Sequence, residues 1–166
     1  MYWLEGKREI RTEIARQRRE DIRIARNWAF DGKKSVLKGF DLKGANLSGI
    51  DLSGADLEDA NLSGAQMWST NLKGAKLMRT DFRGAVINGA KFENANMHSA
   101  DFEGANIQNA DFTNALLRRT KFFKVKALKD CIWTQAKIDE TTLLSKEYRE
   151  IIENILRSTD STKAAN

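Results

Sequence analysis

The side chains best suited to nucleophilic or metal chemistry are scarce in this chain. It contains one histidine, His98, and one cysteine, Cys131, in 166 residues. A metal site, or a nucleophile with its activating base, requires several such groups close together. One histidine and one cysteine cannot supply such a cluster. We therefore expect no catalytic residue, no metal or other cofactor, and no enzymatic activity.

Carboxylate and amide side chains, in contrast, recur at a regular interval of five residues. The first members of this column are Asp41, Asn46, Asp51, Asp56 and Asn61. Paired carboxylates at fixed spacing would suit general acid–base chemistry. Each of these residues, however, stands at the solvent-facing position of a short repeated unit, and the repeat accounts for them better than catalysis does.

That unit is a pentad marked by a large apolar residue. From Leu37 to Phe122 a large apolar residue stands at every fifth position, 18 times without a gap. Two residues before each one, from Ala45 onward, the chain almost always has Ala or Thr, Ile50 being the exception. We expect both positions to point inward, with the residue between them pointing outward.

A spacing of five fits neither a continuous helix, which repeats every 3.6 residues, nor a continuous strand, which alternates every 2. It fits short extended segments separated by corners. The last position of the pentad is mostly Gly or Asn, for example Gly44, Gly84 and Asn94. These residues tolerate the positive φ of a type II turn. The sequence therefore predicts a turn at the end of every pentad.

The pattern, as in Ala45-Asn46-Leu47-Ser48-Gly49 and Ala55-Asp56-Leu57-Glu58-Asp59, resembles the pentapeptide-repeat family, written A-(D/N)-L-x-x. The resemblance implies an all-β solenoid, a right-handed quadrilateral (four-sided) parallel β-helix with four pentads per turn. It covers residues 35 to about 143. A recurrence of Phe82, Phe102 and Phe122 every twenty residues is consistent with four sides and predicts that these rings stack on one side.

The repeat changes register near its end. We expect a slip of one residue near Phe122-Phe123, after which Leu128, Trp133, Ile138 and Leu143 continue as the large inward residues. In that register Cys131, Ala136 and Thr141 take the small inward position. Cys131 is thus expected to be a small buried apolar side chain rather than a reactive thiol.

Both ends of a solenoid require a cap, since each exposes an open sheet edge. We divide the chain into a basic helical segment (1–34), the pentapeptide-repeat β-helix (35–143), and an amphipathic helix with a polar tail (144–166). The first helix is expected over residues 7–29, with a break near Arg18 and Asp21, which interrupt its apolar stripe.

In the family that this chain resembles, helical ends serve as caps or dimer contacts, which implies a homodimer through a terminal helix. The apolar stripe of the last helix comprises Tyr148, Ile151, Ile152, Ile155 and Leu156. This stripe is larger than a helix needs to cover one coil, so we expect the homodimer to form by pairing of the C-terminal helices.

Two surface sets are candidate contact sites for a partner. Trp68 and Val86 are expected to face outward on one side of the rod, where exposed aromatic residues mark contact surfaces. Met78, Arg79, Leu116, Arg118 and Arg119 gather on another side. His98 follows the inward Met97 and is expected to be an ordinary surface histidine.

These features favour a non-catalytic protein-protein interaction module in the cytoplasm, without a signal peptide or a transmembrane segment. An alternative implied by the resemblance is a DNA mimic that modulates gyrase or a related topoisomerase, which requires a strongly acidic rod. Residues 35–124 carry eleven Lys/Arg against ten Asp/Glu, which argues against it. A third alternative is binding of nucleic acid or anionic membrane through the arginine-rich face of residues 8–26, much of whose charge intrahelical acidic residues neutralise.

Overall fold

The central part of the chain winds into a four-sided rod. The computed structural model describes residues 2–33 and 35–163, with side chains described from Gly6 to Arg157 except at position 34. Parallel β-bridges join residues twenty apart, from Asp41 with Asn61 to Asn106 with Lys126. Four pentads therefore complete one coil, which confirms the right-handed quadrilateral β-helix. Each strand of this helix is reduced to a single bridged residue, so that no longer strand forms in the described rod.

The backbone hydrogen bonds explain why the pentad repeats without error. The N–H of the inward Leu42 donates to the carbonyl of Asn61 in the next coil, at 2.8 Å, and the N–H of Asn61 donates back to Phe40, at 2.9 Å. Within each pentad a turn closes locally, as where Ala45 N–H donates to Leu42 carbonyl at 3.0 Å. The N–H groups and carbonyls of the inward residues in the inner coils are therefore paired either with a neighbouring coil or within the corner.

The turn position adopts a left-handed backbone in every pentad from Gly39 to Lys124, with φ between 53° and 74°. Glycine and asparagine at this position were predicted to do so. The same conformation is imposed on Ser99, Arg119 and Lys124, residue types that rarely adopt a positive φ. The stacked hydrogen bonds of neighbouring coils thus override local preference at these corners.

The interior is filled by the two inward positions of each pentad. Phe102 is fully buried and stacks on Phe82, at 4.6 Å between ring centroids, and on Phe122, at 5.1 Å. Phe92 and Phe112 form a second stack at 5.2 Å and meet the first stack edge to face. The predicted twenty-residue ladders of phenylalanine are confirmed, and they place aromatic rings in the geometries that such rings prefer.

The register of the last coil differs from the prediction. The regular bridge of Lys126 with Asn106 shows that no slip occurs at Phe122-Phe123. One residue is inserted later, where Ala127 has φ 60° and precedes the 3-10 helix Leu128–Asp130. A second insertion precedes Leu143, which bridges Lys121 across 22 positions.

Because of the second insertion, the prediction that Thr141 and Leu143 point inward is wrong. Leu143 is 40% exposed, and Thr142 takes the small inward position instead. Its hydroxyl donates to the carbonyl of Leu117 at 2.8 Å. The hydroxyls of buried Thr70 and Thr120 donate to carbonyls of the preceding coil in the same way. The second insertion therefore places Thr142 where its buried hydroxyl has a hydrogen-bond acceptor.

The helix α1 (Tyr2–Asn27) closes the first edge of the rod with the two residues that interrupt its apolar stripe. Asp21 is buried and accepts the N–H of Asp41 at 3.0 Å, while the guanidinium of Arg18 donates to the carbonyl of Lys43. Both backbone groups lack a preceding coil. The helix does not break at Arg18 and Asp21, because these polar side chains pair with the open edge.

The helix α2 (Lys146–Lys163) closes the opposite edge by the same principle. Ser145 caps its N-terminus by accepting the N–H of Tyr148 at 3.2 Å. The Tyr148 hydroxyl donates to the carbonyl of Val125, and Arg149 donates to the carbonyls of Asp139 and Thr142. Each of these carbonyls belongs to the last coil, which has no following coil to supply a donor.

Candidate interaction surfaces

The clearest concave feature of the rod lies on the wall that begins at Asp56. A wall here means the stack formed by one pentad from each coil. Near the C-terminal end of this wall lies a groove of about 550 Å³, which we call the basic groove. Its lining residues are Met78, Asn96, His98, Leu116, Arg118, Lys137, Ile138 and Asp139.

The groove combines an apolar floor with an excess of cations. Met78 and Ile138 are half-buried, and Leu116 is 38% exposed. Arg118 pairs with Asp139 at 3.2 Å, and Lys137 lies beside them in the lining. Hydrogen bonds from Thr141, together with Arg118, lower the pKa of the Asp139 carboxyl, so that it stays ionised beside the cation.

Arg79 belongs to a different part of the same wall. Its guanidinium bonds Asp59 at 2.7 Å and also Glu58, residues of the preceding coil. Lys76 pairs likewise with Asp56 at 3.6 Å. The three carboxylates of the first coil of this wall are therefore paired with the two cations of the second and with Lys38. The cationic excess of this wall lies in the coil of Arg118.

Trp68 and Val86 lie on a second wall, opposite the basic groove. Gln66 bridges Val86 directly, so Trp68 and Val86 belong to adjacent coils of one wall. Trp68 is 57% exposed and Val86 is half-buried. No helix covers the indole, which is among the most exposed large apolar side chains of the described residues.

The two residues suited to reactivity lie apart. His98 is half-buried in the basic groove, whereas Cys131 is buried in the rod. The Cys131 thiol donates to the carbonyl of Ile107 at 2.9 Å, and burial raises its pKa to about 12. A thiol in that state is a poor nucleophile at neutral pH.

The terminal helices differ in how much apolar surface they leave open. On α2, Ile152 is fully buried against the last coil, and Tyr148, Ile151, Ile155 and Leu156 are half-buried against the same core. On α1, Ile10 and Ile14 are 61% and 60% exposed, and every side chain from Lys7 to Gln17 is exposed.

Sequence reasoning named Met78, Leu116 and Arg118 but missed the groove they line together. The one-residue insertion after Ala127 places Lys137, Ile138 and Asp139 beside them. The predicted slip near Phe122-Phe123 gives Ile138 the same register, but the contact of this last coil with Met78 and Leu116 was not predicted. Among the described residues no cluster of three or more His, Cys, Asp or Glu side chains could hold a metal ion. None of the described helices combines the length and apolar character needed to cross a bilayer.

Known proteins share both the repeat and the fold. Residues 41–78 and 80–119 match the family model described as pentapeptide repeats, in 8 copies. No curated protein sequence matches the chain.

Three solved structures illustrate the likeness. A pentapeptide repeat protein from the cyanobacterium Cyanothece 51142 is 30% identical, with 69% of each chain covered and a TM-score of 0.34. A thylakoid-lumen pentapeptide repeat protein from Arabidopsis thaliana is 24% identical over 70% of this chain and 90% of its own, with a TM-score of 0.45. QnrB1, a plasmid-mediated fluoroquinolone resistance protein, is 16% identical over 72% of this chain and 89% of its own, with a TM-score of 0.34. The repeat, the four-sided coil and the match to the family model together show that the chain belongs to the pentapeptide-repeat family.

Proposed function

We propose that this protein is a non-catalytic, protein-binding rod that recognises an acidic segment of a partner through the basic groove. The observation that carries the proposal is the composition of that groove. Leu116, Met78 and Ile138 form an apolar floor beside Arg118 and Lys137. A partner segment with one apolar anchor and flanking carboxylates matches both features.

The rest of the rod supports an interaction role because it is rigid. Every coil is tied to its neighbours by backbone hydrogen bonds, and both ends are capped by side chains. A surface held in this way loses little conformational entropy on binding, which favours recognition by a preformed site. Residues 1–34 and 144–166 serve in this proposal as end caps, and residues 35–143 as the binding rod.

The two alternatives find less support in the charges. A duplex mimic requires a strongly acidic surface, whereas the rod balances its acidic side chains with cations, as in the pairs of Arg79 with Asp59 and of Lys121 with Asp101. In α1, Arg16 pairs with Glu13, and Arg23 pairs with Glu20. These pairs reduce the attraction of the arginine face for nucleic acid or anionic lipid.

We further propose that the protein acts as a homodimer through a terminal helix. The exposed Ile10 and Ile14 make α1 the better candidate, because the apolar stripe of α2 already packs on the last coil. Light scattering is expected to give twice the 18.8 kDa chain mass, and to give one chain mass for the double variant Ile10→Glu, Ile14→Glu.

We also place the protein in the cytoplasm, since its one cysteine is free and suits a reducing compartment.

A random peptide library tests the chemistry of the basic groove without a known partner. Peptides of twelve residues are selected on the wild-type protein, and their affinities are then measured by fluorescence anisotropy. We expect sequences rich in Asp and Glu around one large apolar residue, and at least tenfold weaker binding to Leu116→Glu. The variant Trp68→Ala, on the opposite wall, is the matched control. Selection of neutral or basic peptides, or equal affinity for Leu116→Glu, would contradict the proposal.

A further inference from the structure

The wall that carries Trp68 has a composition unlike the other three. Across its first four coils, from Asn46 to Asn109, the outward positions include no Asp, Glu, Lys or Arg. The equivalent positions of each other wall hold between five and seven charged side chains. We call this surface the uncharged wall. Its outward residues are Asn46, Ser48, Gly49, Gln66, Trp68, Ser69, Val86, Asn88, Gly89, Asn106, Gln108 and Asn109.

Half of these positions carry an amide side chain, and two more carry a hydroxyl. An amide presents both donors and acceptors, and a hydroxyl presents both on one atom. The wall can therefore exchange hydrogen bonds in both directions without burying a charge, which would be costly if unpaired. This distinguishes it from the core of a typical protein interface, where aromatic residues, Met and Arg are enriched.

The amides are held at fixed positions. Asn46 and Asn106 accept the backbone N–H two residues later, from Ser48 at 3.1 Å and from Gln108 at 3.3 Å. These bonds fix the carbonyl end of each amide and leave its NH₂ group as a donor. Bridged residues recur along the wall at the strand spacing of about 4.8 Å, with Val86 interrupting the amides Asn46, Gln66 and Asn106. Each of the four coils still carries at least one amide, and we call this set of amides the amide ladder.

Two features next to each other mark the centre of the ladder. Trp68 exposes 57% of its surface on a backbone that Ser48 helps to fix, by accepting the Trp68 N–H at 3.3 Å. In the adjacent coil, at the equivalent position, the side-chain oxygen of Asn88 is buried and accepts no hydrogen bond. A buried polar atom without a partner is uncommon in a native structure, and it leaves Asn88 free to exchange its present orientation for one that bonds a ligand on the wall.

We propose that the uncharged wall binds a neutral polysaccharide. A sugar ring offers an apolar face that stacks on the exposed indole, and hydroxyl groups that both donate to and accept from the amide ladder. A repeating polymer also matches this surface, since each of the four coils presents at least one amide. The absence of charge disfavours nucleic acid and anionic polymers on this wall.

This inference does not rest on the basic groove, because the two surfaces lie on opposite walls. Affinity electrophoresis tests it with four probes: dextran, hydroxyethylcellulose and galactomannan as neutral polymers, and polygalacturonate as an anionic one. The protein, with a pI near 9.4, migrates toward the cathode in a native gel. We expect retardation in at least one neutral gel, and loss of most of it in Trp68→Ala and in Asn106→Asp.

Arg83→Ala, which removes a charge from a neighbouring wall, is the matched control and should be retarded like wild type. Unchanged melting temperatures show that the variants remain folded. Migration unaffected by all three neutral polymers overturns the proposal, as does retardation in polygalacturonate alone. Retardation by a neutral polymer that Trp68→Ala leaves intact also overturns it, because the indole would then not be part of the site.

Discussion

The buried carboxylate of Asp21 accepts a hydrogen bond from the backbone N–H of Asp41, twenty residues later in the chain, at 3.0 Å. Twenty residues is the length of one coil, so Asp21 stands where a preceding coil would supply its carbonyl. Gln17 supports the carboxylate by donating to its other oxygen at 2.9 Å. A side chain of α1 thus continues the hydrogen-bonding pattern of the rod beyond its first coil.

Replacement of Asp21 by Ala should therefore destabilise the protein. The substitution leaves the N–H of Asp41 without its partner at a half-buried edge, at a cost of about 1–2 kcal/mol, the lower part of the range for a buried donor. Urea unfolding followed by circular dichroism measures the change. Glu13→Gln, at an exposed position of the same helix, is the control and should leave the midpoint unchanged. Equal midpoints for Asp21→Ala and wild type would show that the cap does not contribute.

The phenylalanine ladder should dominate the stability of the rod. Phe102→Ala removes a fully buried ring that contacts four others, and should cost about 3–5 kcal/mol in free energy of unfolding. The adjacent Glu103 points outward, and Glu103→Ala should change the free energy of unfolding little. A similar loss for both variants would mean that the inward and outward positions are assigned incorrectly.

Substitutions at two turn positions test the cost of backbone strain, because one substitution introduces the strain and the other removes it. Gly84 has φ 64° and open space around it, so Gly84→Ala should destabilise by about 1–2 kcal/mol through backbone strain alone. Ser99 already occupies the same conformation, with φ 61°. Ser99→Gly should leave the protein unchanged or up to about 1 kcal/mol more stable. Thermal unfolding of both variants checks the difference, and destabilisation by Ser99→Gly would refute it.

Cys131 should make stability fall at high pH. Burial raises its pKa in the folded state to about 12, from 9.0 for an exposed thiol. The stabilisation from this thiol is fully present below pH 9, where the folded and unfolded states both hold the proton. It is lost as the pH rises toward 12, because in that interval only the unfolded state has released the proton. Cys131→Ala should show a smaller decrease in the urea midpoint over that interval. An identical pH profile for the variant would exclude this role of the thiol.

The repeated pentads could be predicted from the sequence because the residue types of each pentad indicate which positions point inward and where the chain turns. Leu42 and Ala45 identify inward positions and Gly44 a corner, and the same information recurs in every coil. The insertions near Ala127 and before Leu143 could not be located, because a single extra residue leaves apolar residues at a plausible spacing in either register. The capping contacts of α1 could not be predicted from the sequence, for a different reason. Arg18 and Asp21 interrupt the apolar stripe of an amphipathic helix, which suggested a break. Their role is clear only when the open edge of the first coil is known to lie beside them.

The candidate surfaces were predictable in part. Trp68 stood out as an aromatic residue at an outward position, and Met78 and Arg118 could be assigned to one side. The basic groove depends on Ile138 and Asp139, whose place follows from the irregular last coil.

Quantitative affinity capture from an extract of the native host tests most directly whether the rod is a protein-binding module that uses the basic groove. Immobilised wild-type protein is compared with Leu116→Glu and, as a control from the opposite wall, with Trp68→Ala. The account predicts a protein with an acidic segment that wild type and Trp68→Ala retain equally, that Leu116→Glu loses, and that elutes at moderate salt. Retention of the same proteins by wild type and Leu116→Glu would contradict it.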